Sequence, residues 1–213
     1  MPYPSSRAAL ADLVGADEAD LWPESGGPLT NRTRPEELGT VYPHRWAIPR
    51  DVWKRFFEPA EHEIGILAYS ALFLAEDAGL LAIIADKARS GVRVRLALGD
   101  PDGACVARRG QEEGIGDAIA AKVRNALTLY RAALKVENVE IRLHDTVLYN
   151  SLYCADDRLF VNQHVYGLLA AHAPMFCFRA SENDNMAAAY LSSFERVWDT
   201  AAPTAHDDPS RVS

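Results

Sequence analysis

Hydrophobic and polar positions alternate along this chain with two distinct periods, and the changes of period mark the elements. From Glu63 an apolar run, Ile64-Gly65-Ile66-Leu67-Ala68, leads into Tyr69 and Ser70 and reads as a buried strand over 63–69. A helical stripe follows at about 75–90, then a turn at Gly91 and a second buried strand at 92–98. A strand–helix–strand unit of this length requires parallel pairing with a right-handed crossover, so both strand ends open onto one edge of the sheet. Ligands of open α/β sheets bind beyond those carboxyl ends, which places Tyr69, Ser70, Gly99 and Asp100 near any site.

The same reading continues along the chain. A helix is predicted at about 50–58, and a long one at roughly 112–134, where Ile115, Ile119, Val123, Ala126, Leu127, Tyr130 and Leu134 keep the stripe. Val139–His144 is a strand, and apolar runs at 147–154 and 159–165 flank Ala155-Asp156-Asp157-Arg158, an Asp-rich turn that predicts a hairpin. A strand at 175–178 and a helix from about Asn185 to Thr200 complete the pattern. The expected fold class is α/β, with a mixed β-sheet flanked by helices on both faces. Domain organisation follows from composition: an N-terminal helical piece at 1–24, a Gly-, Pro- and Thr-rich linker at 25–40, the main domain at 41–202, and a frayed tail at 203–213.

Composition narrows the function classes. The chain has 213 residues, is 48% hydrophobic and carries a net charge of −8. That acidity repels phosphate backbones, so the main domain is not expected to bind nucleic acid by itself. No apolar run reaches the roughly 18 residues of a membrane helix, and no secretory signal is evident at the N-terminus. Three cysteines, Cys105, Cys154 and Cys177, lack metal-ligand spacing and suit a reducing cytoplasm. A cytoplasmic protein with no cofactor and no metal is expected.

The strand ending in Ala68-Tyr69-Ser70, the helix, and the strand beginning Gly91-Val92-Arg93-Val94-Arg95 resemble the first half of a phospholipase D-like domain. In that superfamily the resemblance implies a His-x-Lys-x4-Asp motif, with His attacking phosphorus, Lys holding the phosphoryl oxygens and Asp supporting the imidazole. This chain departs from the motif in both possible registers. From His144 it offers His144, Thr146 and Ser151; from the hairpin it offers Tyr149, Ser151 and Asp156. Neither register contains a Lys, although Arg45, Arg93 or Arg179 could supply a cation from elsewhere. The segment Val161–Gly167, with Asn162, His164 and Tyr166, lies where the superfamily carries a loop lining its site. The expectation is therefore a non-catalytic pocket formed by Tyr69, Ser70, Tyr149, Ser151, Asn162 and His164, taking a small polar or anionic ligand. The competing expectation is a phosphodiesterase or nuclease with a rearranged site, using His144 or His164.

Near the N-terminus, Arg7, Leu10, Ala11, Leu13-Val14-Gly15 and Leu21-Trp22-Pro23 resemble the closing helices of Xre-type helix-turn-helix regulators from actinobacteria. This resemblance implies the effector part of a transcriptional regulator, functioning as a homodimer and reaching DNA only through a preceding domain that is largely missing here. About 20 residues cannot form a helix-turn-helix domain with its own core.

Overall fold

The apolar runs of the sequence become the strands of one eight-stranded sheet. The computed structural model describes residues 12–13, 38–180 and 185–204. The expected N-terminal helices, apart from the helical Asp12 and Leu13, the linker up to residue 37 and the tail beyond Thr204 lie outside them. The chain divides into a unit at Met1–Arg34 and a second at Pro35–Ser213, and the second holds the sheet.

Its strands and helices run in the order β1 (Leu38–Tyr42), α1 (Arg50–Phe57), β2 (Glu63–Ala68), α2 (Leu72–Glu76), α3 (Ala78–Arg89), β3 (Arg93–Gly99), α4 (Ala104–Glu112), α5 (Ala118–Ala133), β4 (Val139–His144), β5 (Asn150–Ala155), β6 (Arg158–Gln163), β7 (Met175–Arg179), α6 (Asn185–Thr200) and β8 (Ala202–Pro203). Spatially the sheet reads β1-β7-β6-β5-β2-β3-β4-β8. β2, β3 and β4 are parallel, and every other pairing is antiparallel. The central pair has Ile66 opposite Leu96, as the strand–helix–strand reading requires.

Strand alternation assigns the two faces. On one, Trp53 of α1 meets Tyr153 of β5 and Phe160 of β6 edge-on, with centroids 5.1 Å apart in both cases. On the other, Gly65 of β2 leaves room for Phe194 of α6, whose ring would stand 3.2 Å from a Cβ at that position. Arg95 of β3 shares this second face. It bonds Glu63 and Glu195 and lies over the rings of Phe194 and Trp198 at 4.8 and 5.2 Å. Helices thus cover both faces, and the fold class is α/β with a mixed sheet.

Several boundaries differ from the sequence reading. The helix expected at 75–90 is two helices, because Asp77 caps α3 by accepting from the backbone N–H of Gly79 and Leu80 at 2.9 and 3.1 Å. The helix expected at 112–134 is α5 and begins only at Ala118, after a turn at Gly114 and Gly116, both with positive φ, while α4 before that turn was not in the sequence reading. The turn between them folds back so closely that a Cβ on Gly110 would lie 2.1 Å from the Gly116 carbonyl oxygen. Backbone cannot yield that distance cheaply. Gly110→Ala is expected to lower stability by about 1–3 kcal/mol, measured as a lower urea midpoint with unchanged slope. β1 begins inside the stretch read as linker, and β8 runs from Ala202, the last residue of the expected main domain, into Pro203 of the stretch read as tail. Thr204 continues that edge by donating its backbone N–H to the Ile141 carbonyl.

Candidate functional site

Parallel β2 and β3 end at the same sheet edge as antiparallel β5 begins, because Leu67 pairs with Leu152. A cavity of about 470 Å³ opens at this edge. Tyr69 and Ser70 enter its wall from the end of β2, Ser151 and Tyr153 from β5, and His164 from just beyond β6. Arg45 and Trp46 join from a single helical turn at Arg45–Ala47, while Trp53, Leu80 and Ile119 come from the helices above.

Hydrogen bonds specify the protonation of the two histidines. His164 Nδ1 lies 3.1 Å from the Leu148 carbonyl, which can only accept. Nδ1 therefore carries the proton, and Nε2 accepts from the Ser151 hydroxyl at 3.0 Å. Burial lowers the His164 pKa to about 4, with the nearby positive charges of Arg109 and Arg45 adding to the effect and the Leu148 carbonyl opposing it. The imidazole is neutral at physiological pH. His144, only 2% exposed, is held in the opposite tautomer: Nδ1 accepts from the Thr146 N–H, so Nε2 donates to the Ala68 carbonyl at 3.3 Å. Burial lowers its pKa to about 4 as well.

Tyr69 links the pair. Its ring is tilted on His144 and stacked near His164, with centroids 5.9 and 5.8 Å away, and its hydroxyl accepts from the Leu148 N–H at 3.1 Å. Next to Ser70, Ala71 adopts a left-handed backbone with φ 46°. A non-glycine residue there costs about 1 kcal/mol or more, and the buried Tyr130 hydroxyl holds the position by donating to the Ala71 carbonyl at 2.9 Å.

Of the six pocket residues read from the sequence, Tyr69, Ser70, Ser151 and His164 line the cavity. Tyr149 and Asn162 do not. The Tyr149 side chain is 76% exposed, and only its carbonyl faces the site, accepting from the His164 N–H. Asn162 is fully buried and ties the end of β6 to the following loop through the Ala173 and Pro174 carbonyls. Gly99 and Asp100 also lie off the cavity wall; Asp100 instead closes its own turn by accepting from the Asp102 N–H. Asp156, considered as the motif's Asp, occupies the opposite end of the sheet. Its left-handed backbone directs the carboxylate onto the N–H groups of Glu61, His62 and Glu63.

The cations divide similarly. Arg93 begins β3 at the far end, and Arg179 pairs with Asp157 beside the hairpin. Only Arg45 of the three lies on the cavity wall. His172 lies at the cavity rim. Tyr153, Trp53 and Ile119 were read as core positions or not singled out, since nothing local distinguishes a core aromatic from one facing a cavity. Cys154 is buried against the α6 face, where burial raises its pKa to about 12, so its thiol is an unreactive core group. Among the described residues no cluster of His, Cys, Asp and Glu could hold a metal ion, and no helix is long and apolar enough to cross a membrane.

No family model matches the chain, and no curated protein matches it. Among solved structures it is similar to TrmBL2, an archaeal chromatin protein described as showing a novel mode of DNA binding, with a TM-score of 0.48 and 17% identity over 93% of this chain. The chain spans 62% of that protein's length. It is also similar to Nuc from Salmonella typhimurium, a phospholipase D family member, with a TM-score of 0.43 and 13% identity over 72% of this chain and 89% of that one. Both likenesses are weak and distant.

Proposed function

We propose that this α/β domain is the non-catalytic effector module of a transcriptional regulator: it binds a small ligand in the cavity and pairs with a second copy. The cavity itself carries the reading. Polar groups converge on an open-mouthed, largely apolar space of a size typical for small-molecule sites. The non-catalytic reading is supported by the strand where the resemblance would set the motif, on which Tyr149 is exposed and the Ser151 hydroxyl donates a hydrogen bond to His164. Three exposed aromatic side chains, Trp46, Tyr149 and Tyr166, stand on segments around the cavity edge, a surface that a second copy would cover. DNA would be reached through a helix-turn-helix domain preceding this chain. The module is expected to sediment as a dimer whose association strengthens with protein concentration; a monomer throughout would remove the dimerisation half of the proposal.

His164 supports the second reading, a rearranged phosphodiesterase, because it lines the cavity and keeps one nitrogen on a hydroxyl. The two readings separate on bis-p-nitrophenyl phosphate. The effector reading expects no turnover at high protein concentration, whereas turnover abolished by His164→Ala would establish the enzyme.

A further inference from the structure

The cavity wall is chemically unbalanced in a way that identifies its occupant. Arg45 stacks on Phe73, its guanidinium carbon 4.1 Å from the ring centroid, an arrangement that keeps its N–H groups in the guanidinium plane available to an acceptor. Among the described residues Arg45 has no ion pair, and the polar side chain beside it is the Tyr153 hydroxyl. The other charges at the cavity are either paired or on the rim. Asp77 is bound to Arg50 and Glu113 to Arg109, while Glu76, Lys122 and His172 are exposed at the edge.

A second observation is independent of the first. Tyr153 is fully buried and contributes to the cavity wall, and its hydroxyl, beside Arg45 and Ser151, makes no hydrogen bond of good geometry. Buried hydroxyls are nearly always well partnered, so one left without a good hydrogen bond beside a cavity marks a place for a ligand atom. Ser151 cannot serve as a further donor, because its proton is directed to His164 Nε2.

We propose that the cavity holds an apolar monocarboxylate whose head is bound by the Arg45 guanidinium and the Tyr153 hydroxyl. This inference rests on the ligand-binding reading above and narrows it to one chemical class. One uncompensated cation matches one negative charge. Two donors, one of them a planar fork, match the two oxygens of a carboxylate better than the three of a phosphate. The remaining wall, including Ile48, Leu72, Phe73, Leu80 and Ile119, is apolar and would surround a hydrocarbon or aromatic body.

The test is calorimetric titration of the full chain with phenylbutyrate and naphthaleneacetate, each against its neutral primary amide, with inorganic phosphate as competitor. The acids are expected to bind roughly tenfold or more tightly than the amides. Arg45→Gln should erase that preference while leaving amide binding in place, and Tyr153→Phe should reduce it. Equal binding of acid and amide by the wild-type protein, or displacement of the acids by phosphate at similar concentration, overturns the carboxylate assignment but leaves a ligand-binding cavity. Absence of binding by every probe at millimolar concentration overturns both. The acid-to-amide ratio needs only the wild-type protein, so a poorly folding variant does not obscure the result.

Discussion

Stability is expected to fall by roughly 3–6 kcal/mol as the pH drops from 6.5 to 4, because two histidines must remain neutral in the fold. Burial lowers both the His144 and the His164 pKa from 6.5 to about 4. Between those values the unfolded chain takes up protons that the folded chain refuses, so the stability present above pH 6.5 is lost progressively towards pH 4. The carboxylates act in a lower window. Salt bridging to Arg50 holds Asp77 at about 2, and backbone N–H groups lower Asp145, so their contributions decline from the ordinary carboxylate range downward, below about pH 5. Urea midpoints measured across pH 5 to 7 therefore isolate the imidazoles. The double variant His144→Gln, His164→Gln should show a much flatter profile in this interval. A wild-type profile that is already flat, or an imidazole that titrates near 6.5 by NMR, would show that these rings are not held neutral by burial.

Trp53→Ala should remove about 3–5 kcal/mol, the usual cost of truncating a buried Trp. Trp53 is 4% exposed and joins α1 to the sheet through Tyr153 and Phe160, to its own helix through Phe57, and to α2 through Phe73 at 5.0 Å. Because it also lines the cavity, the substitution enlarges a space that the surrounding rings cannot fill. For a chain of this length each kcal/mol moves the melting temperature by about 2–4 °C, so a fall of ten degrees or so is expected in a thermal scan. Trp46→Ala provides the internal comparison. That side chain is 75% exposed, and its loss should change stability by no more than about 0.5 kcal/mol. Similar losses for the two variants would mean that the aromatic cluster under α1 contributes less than its packing implies.

The strands were legible because each half-buried or fully buried segment carries its own record of burial. Ile64–Ala68 is apolar for five residues at a stretch and Leu96–Leu98 for three, interrupted before that only by Arg95, a pattern that the interior of a parallel sheet favours. The breaks inside the helices were less legible. Asp77 sits within a helical stripe and acts as a cap only because its carboxylate reaches two N–H groups, and Gly114 and Gly116 end a stripe that the apolar positions continue. Periodicity reports which face is buried; it is silent about backbone conformation at a single residue.

The candidate site divides along the same line. By itself the sequence determined that two parallel strands end together near Tyr69 and Ser70, that a hairpin follows, and that no His–Lys pair occupies it. Those are properties of neighbouring residues. Tertiary structure alone decided which polar groups share a cavity. It directed Tyr149 outward and Ser151 inward, carried Asp156 to the far end of the sheet, turned Asn162 onto a loop, and brought Arg45 beside Tyr153 from more than a hundred residues away. The physical reason is that strand register and helix packing are collective. A residue's face follows from its own neighbours, whereas the company it keeps across a cavity depends on every element that packs between.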